Sequence, residues 1–127
     1  DDIEKTLIKK TFADMPQYHF GLVCGGRGCP PLRNEAYTGD KLVAQLDANA
    51  RAFLSNPARG HYDAEKNILR LSELFRWYKD DFEAADLSVN RVVAPHFTLS
   101  EAMRIMKDEP AIEYIPFDWK LNDAGAK

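Results

Sequence analysis

The sequence predicts an α+β fold, four to five helices packed on a few short strands. Apolar residues recur at helical spacing in several separate stretches, and short runs of strand-forming residues stand between them. Helices and strands do not alternate regularly, as a doubly wound sheet would require.

Ile3, Leu7 and Ile8 predict a helix over residues 2 to about 12, and Pro16 breaks the chain after it. His19-Phe-Gly-Leu-Val-Cys24 is a short apolar run that predicts a buried strand. Gly25-Gly-Arg-Gly-Cys-Pro-Pro31 predicts a loop, with glycines for unusual backbone angles and prolines that lack donors. From Thr38 to Ser55 the pattern is helical, with Leu42, Leu46, Ala50 and Phe53 on one face and Thr38 or Asp40 as its cap. Residues 61–63 and 67–71 predict a hairpin around Ala64-Glu65-Lys66. Ser72 caps a helix to about Phe82, whose stripe is Leu71, Phe75, Tyr78 and Phe82, with Trp77 at the rim. Residues 87–94 form a further helix ending near Pro95. Thr98 and Glu101 form a capping box, which opens a helix through about Lys107. Ile112 to Ile115 is the last strand, and a frayed tail is expected from Asp123.

Composition bounds the class. The chain has 127 residues, which predicts one domain over 1–127. Lys plus Arg is 17 and Asp plus Glu is 20, so the net charge of −3 argues against nucleic acid or an anionic membrane as main partner. Two cysteines exclude a disulfide scaffold, and no apolar run approaches the roughly 20 residues of a membrane span. The charged start, with no apolar leader and no initiating Met, reads as a processed or truncated terminus.

The stretch from Cys24 to Arg33 carries the most chemistry. A nucleophilic cysteine needs a nearby base, and His19 is the candidate. On a regular strand His19 and Cys24 lie on opposite faces, so a Cys29–His19 dyad is allowed and a Cys24–His19 dyad is not favoured. Asp118 is the candidate orienting carboxylate. A Cys24–Cys29 disulfide is a second reading, requiring an oxidising compartment. A metal site with His19 as third ligand matches no standard zinc spacing, and no metal or cofactor is expected. Gly25 to Gly28, with Arg27 and Arg33, suggests anion binding, but the P-loop ending is absent and a sharp turn explains the glycines. The acids Asp80, Asp81 and Glu83 read as a solvated face.

His19-Phe-Gly-Leu-Val-Cys-Gly-Gly-Arg-Gly-Cys-Pro-Pro-Leu-Arg33 resembles the core signature of the family catalogued as domain of unknown function 547, in its bacterial form. Glu35-Ala-Tyr37, Gln45-Leu-Asp47 with Phe53, Phe75-x-Trp-Tyr78 with Asp81-Phe82, and Tyr114 to Asn122 resemble further family motifs in the same order. The chain departs from that pattern in lacking an upstream Asn-x-Tyr-Asn-Ala-like segment, and in having Lys5 where the family's Ile-Glu step is followed by histidine. A site built with an upstream half would leave this polypeptide inactive alone, and surface left uncovered by its absence would favour a homo-oligomer. Plant relatives with serine for the cysteines argue against an obligatory cysteine nucleophile. Exported bacterial relatives imply a periplasmic or secreted protein, and with it the disulfide.

The reading that follows is an extracytoplasmic domain with a binding or interaction role, its partner a small polar ligand or a protein. The functional surface is the 19–37 loop with Asp118 to Asn122 packed nearby. Arg27, Arg33 and Tyr37 are candidate ligand-binding residues, with His19 and Asp118 beside them. The rival is a cysteine-dependent hydrolase or acyltransferase, with Cys29 as nucleophile and His19 as base.

Overall fold

A computed structural model describes residues 2–123; the tail expected from Asp123 lies, after that residue, outside the described residues. The chain enters through a π-helical stretch, Ile3–Ile8, continued by α1 (Lys9–Thr11). A 3-10 helix, Pro16–Gly21, follows where a strand was expected through His19–Cys24. Pro16 stands at its first position, where a missing N–H costs nothing. Tyr18, His19 and Phe20 are all buried. With three residues per turn, consecutive side chains leave in three directions, and each finds packing. A short, continuously apolar run does not reveal its period, so strand and helix are not separable from it.

α2 (Leu42–Leu54) buries Gln45, Leu46, Asn49, Ala50, Phe53 and Leu54. Its first turn has no side-chain cap; Gln45 Oε1 instead accepts from the Thr38 N–H at 3.0 Å, fixing the approach to the helix. β1 (Gly60–Asp63) and β2 (Ile68–Ser72) form the expected hairpin, with Asp63 opposite Ile68. Asp63 Oδ1 accepts from the N–H groups of Glu65 and Lys66, and Asn67 takes a positive φ of 52° to close the turn.

The helix expected over Ser72–Phe82 is two pieces, α3 (Leu74–Trp77) and α4 (Lys79–Ala84), interrupted at Tyr78. That interruption lies where the Tyr78 ring packs on His19. α5 (Val89–Val93) is capped by Ser88 and runs into a 3-10 turn, Ala94–His96. α6 (Leu99–Asp108) has the full Thr98–Glu101 capping box, and Glu109 ends it with a φ of 43°. β3 (Ala111–Ile115) pairs with β2 in parallel, Leu69 opposite Ile112 and Leu71 opposite Tyr114. The sheet order is β1-β2-β3, and α3 to α6 make the crossover that a parallel pair requires.

Leu69 and Leu71 of β2 are fully buried and meet a core of Phe20, Phe53, Phe75, Phe82, Val93 and Ile105. Phe20, Phe53 and Phe75 form a tilted aromatic trio, with centroids 5.8 to 6.2 Å apart. The trio seats the 3-10 helix against α2 and α3, and so fixes the neighbouring His19. Among the described residues no helix is long and apolar enough to cross a membrane.

Candidate functional site

His19 is the buried centre of a polar cluster. Its ring stacks on Tyr78 with centroids 3.5 Å apart and planes 20° from parallel. Its Nε2 lies 3.0 Å from Asp81 Oδ2, and Lys9 Nζ lies 2.6 Å from Asp81 Oδ1. The Tyr78 hydroxyl donates to Glu4 Oε1 at 3.0 Å. That same carboxylate oxygen is 3.9 Å from His19 Nδ1, which has no hydrogen-bond partner.

Burial pushes the His19 pKa below the usual imidazole value, and the Asp81 hydrogen bond only partly opposes this. Burial disfavours the ionised Asp81, but the Lys9 and His19 hydrogen bonds outweigh it and hold the carboxyl below its ordinary range. Burial, with the Asp81 and Glu4 charges, pushes Tyr18 up to about 12. Tyr78 is raised too, by burial first and Glu4 second. An ionised carboxylate can only accept, so neutral His19 carries its proton on Nε2. Its Nδ1 is then a bare acceptor facing a second acceptor, the Glu4 carboxylate.

A groove of about 200 Å³ opens beside these two acceptors. Glu4, His19, Tyr78, Cys24, Trp77 and Trp119 line it. Trp77, Phe117 and Trp119 form an aromatic shelf with centroids 4.7 to 5.7 Å apart. Trp119 is 73% exposed and Trp77 44%, so the shelf faces water at one end.

The 25–28 loop is held against the 118–122 segment by backbone pairing. Arg27 N–H donates to Lys120 O at 2.9 Å, Gly28 N–H to Asp118 O at 2.8 Å, and Asn122 N–H to Gly25 O at 2.9 Å. The glycines divide the work. Gly25 alone in this loop has a positive φ, 78°, whereas Gly28 permits close approach, since a Cβ there would stand 2.8 Å from Phe117 and 2.9 Å from Asp118 N. Asn49, buried in α2, donates through Nδ2 to Phe20 O and Pro31 O, tying both flanks of the loop to the core.

Cys24 and Cys29 are joined as a disulfide, with Cα atoms 5.9 Å apart. Cys29 is buried and Cys24 exposed at the groove. A nucleophilic thiolate at Cys29 would exist only after reduction. Asp118 is exposed and accepts from Lys120 N–H at 3.0 Å; the carboxylate on His19 is that of Asp81, expected on a solvated face but only 16% exposed in its side chain. Arg33 is committed to Glu35 at 2.6 Å and to Gln45 O at 3.3 Å. Tyr37 lines a separate apolar cavity with Ile8, Met15 and Leu42. Arg27 and Asp118 line a third cavity. The candidate residues therefore stand at three places. Reasoning from sequence missed Glu4, Lys9 and Asp81 because Asp81 lies 62 positions from His19 and Lys9 joins the cluster only through Asp81; the aromatic motif at Trp77-Tyr78 was the one local signal. Among the described residues no group of three His, Cys, Asp or Glu side chains is arranged to hold a metal ion.

Two outcomes follow directly. Changing both cysteines to serine is expected to cost about 2 kcal/mol in urea unfolding, the chain-entropy value for so short a ring. An unchanged midpoint would contradict a stabilising disulfide. Stability is also expected to fall as pH drops below 6.5, because burial lowers both His19 and His96 from that value. The unfolded chain binds those protons first, so acid favours it. Melting temperature measured from pH 7.5 to 5.0 reads this, and a flat profile would contradict it.

Neither the curated proteins nor the solved structures contain a match to this chain. Residues 2–54, which hold Glu4, His19, both cysteines and the loop between them, match the family described as protein of unknown function, DUF547.

Proposed function

We propose that this chain is an extracytoplasmic ligand-binding domain, and that the groove beside the disulfide loop takes a hydrogen-bond donor, an organic ammonium group above all. The observation carrying this is a pair of acceptors on two groove-lining residues, the buried His19 Nδ1 without a partner and Glu4 Oε1 3.9 Å away. A buried acceptor without a donor is costly, and a ligand N–H set between the two would relieve it. The aromatic wall of Trp77, Tyr78 and Trp119 suits the same chemistry, since ring faces attract cations. An anion is disfavoured here, against the expectation of a polar or anionic ligand, because it would face the Glu4 carboxylate. The disulfide supports the extracytoplasmic location.

The test is tryptophan fluorescence titrated with n-butylammonium chloride and, separately, sodium butyrate. A saturable change is expected with the ammonium and none with butyrate. Glu4→Gln keeps an acceptor for Tyr78 but removes the charge, and is expected to weaken ammonium binding about tenfold. Equal responses to both salts, or an unaltered response in Glu4→Gln, would overturn the reading.

A further inference from the structure

A second cavity, of about 370 Å³, shares Phe117 with this groove as part of its wall. Its lining includes Arg59, Asn56, Ser72, Asn122 and Asp118. Arg59 follows α2 and immediately precedes β1 in the chain. Its backbone oxygen accepts from Ser72 N–H at 2.8 Å, which fixes its position beside the sheet. Its guanidinium packs 5.1 Å from the Phe53 ring centroid, and Nη2 donates to Arg27 O.

Among the described residues Arg59 has no carboxylate partner. Arg33, Arg51, Arg70, Arg76 and Arg104, by contrast, each pair with a carboxylate. Asp118, at the cavity, accepts from Lys120 N–H and forms no ion pair with Arg59. A half-buried guanidinium without a counter-charge is an uncommon and costly arrangement. Burial lowers its pKa from the ordinary arginine value, in keeping with that cost.

Two of the neighbouring groups, Ser72 and Asn56, are donors as well, while the Asp118 carboxylate spends its Oδ1 on Lys120 N–H. Ser72 is 3% exposed, and its Oγ accepts from Leu74 N–H, which leaves its own hydroxyl proton to donate. Asn56 uses Oδ1 to accept from Ala58 N–H, leaving Nδ2 as a donor. The guanidinium, a hydroxyl and a carboxamide thus line one cavity, and their common complement is an oxyanion.

We propose that this cavity is a second binding site, for a carboxylate or phosphoryl oxyanion held by Arg59, with Ser72 and Asn56 as further donors. The site is independent of the ammonium groove and stands or falls separately. An arginine fork recognises a planar carboxylate or a phosphate with two parallel bonds.

The experiment follows the Arg59 Nε–H resonance by ¹⁵N NMR on the intact, disulfide-bonded protein. The titrants are sodium phosphate, sodium acetate and, as control, sodium chloride at matched ionic strength. Saturable movement of Arg59 with phosphate or acetate, but not chloride, is expected; which anion acts identifies the class. Arg59→Ala is expected to lose at least about tenfold in affinity, and Arg59→Lys to fall between, since it keeps charge but not the fork. Because Arg59 also holds the Arg27 carbonyl, Asn56→Ala provides a variant outside that contact, expected to weaken binding two- to fivefold. An Arg59 resonance indifferent to both oxyanions, or movement no greater than chloride produces, would overturn the proposal. So would phosphate affinity unchanged in a folded Arg59→Ala protein.

Discussion

Asn49→Ala is expected to remove about 3 kcal/mol of folding stability, read as a lower urea midpoint with an unchanged slope. Asn49 is 3% exposed, and its Nδ2 serves two carbonyls, Phe20 O and Pro31 O. Alanine deletes both bonds and leaves two buried acceptors unsatisfied, a larger cost than the bonds themselves. The two carbonyls flank the disulfide loop, so the same change is expected to loosen the groove and abolish the ammonium response. A loss below about 1 kcal/mol would mean that water replaces the amide.

Gly28→Ala is expected to cost up to about 3 kcal/mol, through overpacking rather than lost burial. The added Cβ meets Phe117 and the Asp118 backbone below 3 Å, and neither is the free end of a flexible chain. Relief requires the loop to leave the 118–122 segment, breaking the bonds at Arg27, Gly28 and Asn122. Gly26→Ala is the control, because its Cβ would make only ordinary contacts, the nearest at 3.5 Å. Equal unfolding midpoints for the two variants would show that the loop yields freely.

How much of this was legible in the sequence depended on range. The Thr98–Glu101 box and the hairpin at Ala64 to Lys66 rest on residues three to five apart, and both form as their spacing predicts. The cap expected at Thr38 or Asp40 does not form, because the helix begins at Leu42 and puts Lys41 in the capping position. The 19–24 run misleads for a different reason: it is continuously apolar and too short to show a period, although its end, Val23 and Cys24, is exposed. The site divides in the same way. His19, Cys24 and Cys29 stand out by residue type and proximity. Asp81 and Arg59 do not, since an acid is indistinguishable from its solvated neighbours, and an arginine from a surface cation, until the fold brings distant segments together.

The pairing of Gly26 with Leu121 sets an order of assembly. During vectorial synthesis the N-terminal segments of the site appear first, and the six-residue disulfide ring can close from local encounters alone. The aromatic shelf requires Phe117 and Trp119, and the second cavity requires Asp118 and Asn122, so neither pocket is complete until residues 117–122 reach the loop. Closure across some ninety positions carries a large search cost, and it comes after the local turns are made. Both pockets are therefore completed by one long-range step, the docking of residues 117–122 on the disulfide loop.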